Sequence, residues 1–260
     1  MDMPVNLFKR AILSGKTVPY GVWLVSGAPA TAEALGSAGF DFLVVDTEHT
    51  PIDPPQVGDI LRTMAGTPAS AVVRPAWNDM VLIKRLLDTG AQTLLIPFVQ
   101  NADEAKRAVA YTRYPPDGVR GVAAVHRGSR WGAVANYAKT AAAEICVIVQ
   151  IETAAAVDQI AAIAAVPGID SLFIGPADLA ASMGHLGDFN HPDVQAKIKH
   201  AVLQCRKAGK PVGTVGPNPE MVIRYLEYGF TWIAINSDIG MMVGRATEWL
   251  AKVKAGAPKA

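Results

Sequence analysis

Short apolar runs rich in Val, Ile, Leu and Phe alternate along the chain with longer stretches in which apolar residues recur at helical spacing. That alternation is the pattern of repeated βα units on a parallel sheet whose strands are buried on both faces. It predicts strands at Tyr20–Val25, Phe42–Val45, Ser70–Arg74, Thr93–Val99, Ile145–Ile151, Ser171–Ile174, Pro211–Val215 and Thr231–Asn236. Helix starts are marked by Asn78-Asp79 before Met80–Asp88, Asn101 before Ala102–Tyr111 and His191-Pro192-Asp193 before Val194–Ala208. Gly90, Gly209 and Gly229 supply stop signals. The interval 112–143 is irregular; it opens with Tyr114-Pro115-Pro116-Asp117-Gly118, and a connection of that length is usually functional or interfacial.

Eight strand-like runs in 260 residues fit one α/β domain, a single (β/α)8 barrel spanning residues 1–260, with a doubly wound open sheet as the alternative. Closure is favoured by where the polar residues fall. Strand two runs into Asp46-Thr47-Glu48-His49, strand three into Arg74-Pro75, strand five into Gln150-Ile151-Glu152-Thr153 and strand six into Gly175-Pro176-Ala177-Asp178. All are C-terminal strand ends, where a barrel gathers its active site.

Composition narrows the function. Half of the residues are hydrophobic, 18% are charged and the formal net charge is +1, with no basic run interleaved with aromatics, so nucleic acid is not an expected partner. The two cysteines, Cys146 and Cys205, have neither metal nor redox spacing and read as buried thiols. Met1–Arg10 lacks the features of a signal peptide and the apolar stretches at 141–151 and 154–166 are too short to span a bilayer, so cytoplasm and no membrane segment are the expectation.

Glu152 and Asp178 lie about one βα repeat apart and would project toward a shared point. Two carboxylates there suit a hard divalent ion, Mg²⁺ or Mn²⁺, rather than structural zinc; each could instead merely start a helix. Gly175-Pro176-Ala177-Asp178 leaves backbone N–H groups free for an anionic oxygen, or is only a tight turn. His49, three positions after Asp46, is a candidate general base oriented by that acid. Arg74 is costly to bury without an anion, either a structural partner or a developing enolate. The other histidines, His126, His185, His191 and His200, have weaker claims as loop or helix-surface residues. No lysine falls in a predicted strand or at its C-terminal end, which disfavours a Schiff-base mechanism and favours a metal-stabilised enolate.

With these residues in view, the chain resembles the class II, metal-dependent pyruvate aldolases typified by 4-hydroxy-2-oxoheptane-1,7-dioate aldolase, with the 2-keto-3-deoxy sugar-acid aldolases as close relatives. The carriers are Gly-Val-Trp-Leu at 21–24, Asp-Thr-Glu-His at 46–49, Val-Val-Arg-Pro at 72–75, Thr-Leu-Leu-Ile-Pro at 93–97, Arg-Tyr-Pro-Pro at 113–116, Gly-Val-Arg-Gly-Val at 118–122, Gln-Ile-Glu-Thr at 150–153 and Ile-Gly-Pro-Ala-Asp-Leu at 174–179. The resemblance implies a barrel of the phosphoenolpyruvate/pyruvate superfamily type and reversible cleavage of 4-hydroxy-2-oxo acids to pyruvate and an aldehyde. It implies that Glu152 and Asp178 bind the ion (Mg²⁺ or Mn²⁺, with Co²⁺ a third candidate), with no organic cofactor. Arg74 would stabilise the pyruvate enolate, the amides of Ala177 and Asp178 would hold the carboxylate, Gln150 would lie beside metal and substrate, and Asp46 with His49 would move the C4 hydroxyl proton.

Trp23, Gly175 and Val215 complete the expected substrate pocket, with Val215 as an apolar wall. Aldehyde selection is expected from Thr214–Asn218 and from the loop Val125–Ser129, where Arg127 could meet a distal carboxylate. The resemblance further implies a homo-hexamer that exchanges the helix at about 238–254 between neighbours, and Asp88 could then reach a neighbouring subunit's site. Aromatic-compound and sugar-acid catabolism are both open as pathways. A CoA-thioester lyase of the citryl- or malyl-CoA type and a non-catalytic 2-oxo-acid sensor are the alternatives; the shortness of the C-terminal region weighs against the first and the Asp46, His49, Arg74 set against the second.

Overall fold

The computed structural model describes residues 1–257. Eight parallel strands close into a barrel in sequence order: β1 (Tyr20–Leu24), β2 (Phe42–Asp46), β3 (Ser70–Arg74), β4 (Thr93–Ile96), β5 (Cys146–Ile151), β6 (Ser171–Ile174), β7 (Val212–Gly216) and β8 (Trp232–Ser237). The expected (β/α)8 architecture is therefore met, and the open sheet is excluded by the pairing of β8 with β1. The helices are α1 (Leu7–Ser14), α2 (Pro29–Gly36), α3 (Pro54–Met64), α4 (Met80–Thr89), α5 (Ala102–Thr112), α6 (Tyr137–Glu144), α7 (Ala154–Asp158), α8 (Ile160–Ala164), α9 (Pro176–Ser182), α10 (Pro192–Lys207), α11 (Pro219–Tyr228) and α12 (Asp238–Gly256). No helix among the described residues is long and apolar enough to cross a membrane.

Side chains in a strand alternate between faces, so one parity lines the barrel interior and the other packs under the helices. Val45, Val73, Val149 and Ile174 belong to the outer core, whereas Phe42, Val44, Val72, Leu95, Cys146, Ile148, Phe173, Trp232 and Ala234 fill the interior. The interior is aromatic toward the N-terminal end. Phe8 of α1 packs edge-on to Trp232 at 5.4 Å and lies 4.9 Å from Phe42, so α1 plugs that mouth. Two glycines make the packing feasible: a Cβ at Gly21 would overlap the Phe42 ring, and one at Gly213 would overlap the Trp232 indole.

Two details depart from the sequence reading. Strand β4 stops at Ile96 rather than Val99, because Pro97 cannot donate to a ladder and Phe98 takes a left-handed φ of 53°. The plug α1 was not anticipated, although Asn6 caps it by accepting from the Lys9 N–H at 2.9 Å and Phe8 and Ile12 share its buried face. Cap signals elsewhere mark true boundaries: Asp79 accepts from Val81 and Leu82, Asn101 from Glu104, and Gly90, Gly209 and Gly229 adopt positive φ. The helix expected at 238–254 is α12. Its first residue, Asp238, accepts from the Val25 and Ser26 N–H groups, yet Met242, Val243, Trp249, Leu250 and Val253 stand exposed beyond that anchor.

Candidate active site

Following the inward parity to the C-terminal end of the barrel brings the chemistry together. Two residues beyond Val44 is Asp46, two beyond Val72 is Arg74, two beyond Ile148 is Gln150, and Glu152 follows on the same parity. These side chains, with Trp23, His49, Gly175, Pro176, Ala177, Asp178 and Val215, surround a cleft of about 590 Å³; Asp46 lies just beneath it. Among the described residues, no lysine lines this cleft.

Arg74 is the floor. Its Nε donates to Asp46 Oδ1 at 2.8 Å and its Nη2 to Asp46 Oδ2 at 2.7 Å, a bidentate fork between two buried groups. Burial alone would raise the Asp46 pKa, but the paired guanidinium outweighs it and holds the carboxyl below its ordinary value. Arg74 Nη1 lies 2.8 Å from Glu48 Oε2 as an ion contact rather than an aligned hydrogen bond. The Arg74 guanidinium also sits over the Trp23 ring at 4.8 Å.

This geometry changes one expected pairing. Asp46 is taken up by Arg74 and by the Glu48 N–H, and the acid nearest His49 is Glu48, whose Oε2 lies 3.9 Å from the imidazole Nε2. Asp46 faces into the barrel, whereas the His49 side chain, at the mouth, is 68% exposed.

Glu152 is 3% exposed. It accepts from the Phe98 N–H at 2.9 Å and from Gln150 Nε2 at 2.7 Å, while Gln150 Oε1 is buried with no hydrogen-bond partner among the described residues. Burial pushes the Glu152 pKa up to about 7, the charge of Glu48 and then that of Asp178 add to the rise, and the Phe98 N–H and Arg74 pull against it. Burial likewise pushes Glu48 above its ordinary value despite Arg74. Gly175 makes room for the buried acid, since a Cβ there would lie 2.6 Å from Glu152 Oε1. Ala177 and Asp178 occupy the first turn of α9, where N–H groups lack intrahelical partners.

Asp88 does not line this cleft. It ends on the far side of α4, where the fully buried Arg120 donates to it at 2.7 Å. The loop Val125–Ser129 is likewise away from this chain's own cleft. Arg127 donates to Thr89 O at 3.0 Å and His126 Nε2 lies 3.8 Å from Asp88, because the 112–143 connection runs outward across α4. Val215 and Pro217, from the stretch expected to select the aldehyde, line the cleft, whereas the sequence gives no role to Glu48, Phe173, Phe189, Asn236 or Ser237, all but Glu48 lining it. Strand parity would have found Phe173 and Asn236; Phe189 lies in a loop where no periodicity points inward.

The profile of the HpcH/HpaI aldolase/citrate lyase family matches residues 19–244. The chain belongs to this family. It is 49% identical over 255 residues to the 4-hydroxy-2-oxo-heptane-1,7-dioate aldolase of Salmonella heidelberg, covering 98% of this chain and 96% of that one. It is 47% identical over 243 residues to the 2-dehydro-3,6-dideoxy-6-sulfogluconate aldolase of Pseudomonas putida, covering 94% and 95%. Among solved structures, a HpcH/HpaI aldolase/citrate lyase family protein from Burkholderia cenocepacia superposes with a TM-score of 0.94 at 40% identity, covering 96% of this chain and 100% of that one. With relatives of this closeness along nearly the whole chain, the protein is an aldolase, a carbon–carbon lyase.

Proposed function

We propose that this aldolase cleaves 4-hydroxy-2-oxo acids to pyruvate and an aldehyde, with a divalent cation held by Glu152 and Asp178. The observation that carries the proposal is Glu152, a carboxylate buried beside two further acids with its pKa drawn to about 7. Such a group is poorly matched to its own surroundings and well matched to a cation. The donors fit: carboxylate oxygens and the unpartnered Gln150 Oε1 nearby are hard ligands of the kind Mg²⁺, Mn²⁺ and Co²⁺ accept, with room in the cleft for water and substrate oxygens. When bound, the cation would polarise the 2-oxo group and lower the energy of negative charge developing on it.

The chain's own residues account for the remaining steps. The first-turn amides of Ala177 and Asp178 bind the substrate carboxylate. His49, exposed at the mouth, takes the proton of the C4 hydroxyl, with the Glu48 carboxylate as its neighbouring acid, 3.9 Å from Nε2. The C3–C4 bond then breaks, its electron pair moves into the pyruvate fragment as an enolate, and C4 leaves as the aldehyde carbonyl. Arg74 still has N–H groups on both Nη1 and Nη2 after clamping Asp46, and donates to the enolate oxygen. Trp23, Phe173 and Val215 form an apolar wall that keeps water from the carbanionic carbon.

Proton exchange tests the enolate step without any aldehyde. Pyruvate incubated with the protein in D2O, in buffer free of divalent ions or supplemented with Mg²⁺, should lose its methyl proton signal only with the ion present. Exchange that is unaffected by EDTA, or by Glu152→Gln, would contradict the proposed role of the carboxylate pair.

A further inference from the structure

Two of the five histidines meet outside the cleft, in the segment joining α9 to α10. His185 N–H donates to Ala180 O at 2.9 Å as the chain leaves α9; His191 caps α10, its Nδ1 accepting from the Asp193 N–H at 3.3 Å. Between them the Asp188 N–H bonds His185 O and the His191 N–H bonds Asp188 O, with Gly184 and Gly187 at φ values of +84° and +81°. The buried Gln195 amide donates to Phe189 O at 2.6 Å. This compact turn stacks the His185 and His191 rings with centroids 3.6 Å apart and planes 16° apart. Asp193 brings its carboxylate to 3.8 Å from His191 Nδ1, and one donor atom from each of the three side chains falls within 4.8 Å of the others.

We infer that His185, His191 and Asp193 form a second cation site, selective for a borderline ion of the Zn²⁺ type and separate from the carboxylate pair of the cleft. Two imidazoles and one carboxylate, with a fourth position for water, are a zinc-like ligand set, whereas Mg²⁺ prefers oxygen throughout. Zn–N bonds of about 2.0–2.1 Å require the donors to draw closer. Rotation of the two half-buried rings about their side-chain torsions, opening the stack edge-on to the ion, is the movement this site would require. The site has a route to the cleft: Phe189, between the two histidines in sequence, lines its wall, so an ion bridging His185 and His191 fixes both ends of the segment that carries it.

The inference stands independently of the mechanism proposed for the cleft, and zinc stoichiometry tests it. Untagged Glu152→Gln protein, lacking one cleft carboxylate, is dialysed against Zn²⁺ and separately against Mg²⁺, and bound metal is counted per chain. One Zn²⁺ and no Mg²⁺ are expected, falling to no Zn²⁺ when either His185→Ala or His191→Asn is added. Asn is itself a strong N-cap, so His191→Asn removes the ring while keeping α10 capped, which circular dichroism verifies. Absence of Zn²⁺ from the Glu152→Gln protein, or retention of it in both histidine variants, would overturn the inference. Failure of the cleft mechanism registers separately, as pyruvate exchange insensitive to Glu152→Gln.

Discussion

Arg74 joins two carboxylates through one planar group, and its shape matters as much as its charge. Lysine would offer a point charge in place of the fork that grips both Asp46 oxygens. Arg74→Lys is therefore expected to reduce kcat/KM by roughly 100-fold, the scale of losing one preorganised donor to a developing oxyanion, with a lower Tm because Asp46 keeps less of its pairing. Steady-state kinetics and thermal unfolding check both; unchanged kinetics would remove Arg74 from the chemistry. Glu152 makes a prediction of the opposite kind. Its folded pKa of about 7 lies above the ordinary 4.5, so in protein stripped of divalent ions the native state binds more protons than the unfolded state between those values. Stability is then lost as pH rises through that window, by up to about 3 kcal/mol at about 1.4 kcal/mol per unit. In EDTA the unfolding free energy of the wild type should fall from pH 5 to pH 8 by more than that of Glu152→Gln, and a divalent ion, which binds the ionised carboxylate, should reverse the fall. Equal slopes in the two proteins would contradict the assignment.

Strands, rather than individual residues, explain why so much of the site is legible in the sequence. Alternation along β2, β3 and β5 commits Asp46, Arg74 and Gln150 to the barrel interior once Val44, Val72 and Ile148 are there. Their position at C-terminal strand ends commits them to one mouth. What periodicity cannot carry stayed hidden: the left-handed turn at Phe98 that aims its N–H at Glu152, and Phe189 in a loop. Nor does sequence proximity between Asp46 and His49 reveal that Arg74, on the next strand, clamps Asp46. Turn α9 depends on the same local economy of space. Gly175→Ala would force a methyl against Glu152 and is expected to weaken Mn²⁺ binding by about 10- to 100-fold, the usual range for disturbing the groups that support a ligand. A titration monitored by the paramagnetic ion measures this, and an unchanged affinity would show that Glu152 can move aside without consequence.

At the scale of the molecule, α12 is hard to understand in an isolated chain. Apart from Asp238 it buries nothing fully, and Trp249, Leu250 and Val253 face outward. We expect the chain to assemble, in line with the homo-hexamer and exchanged last helix implied by its sequence resemblance. Trp249→Glu combined with Val253→Glu should reduce the assembly size in sedimentation while leaving the far-ultraviolet spectrum intact; a monomeric wild type would contradict this. Asp88, remote from its own cleft and oriented by the buried Arg120, is expected to serve a neighbour's cleft in that assembly. Mixing inactive Asp88→Asn and His49→Ala subunits should then restore partial activity, and no recovery after confirmed subunit exchange would refute sharing. The most direct test of the whole account is pyruvate release from a panel of 4-hydroxy-2-oxo acids, including members with a distal carboxylate or sulfonate, with Mg²⁺ or Mn²⁺ and again after EDTA. Release should disappear both on chelation and in Glu152→Gln; release that persists through both would contradict a cation-held enolate.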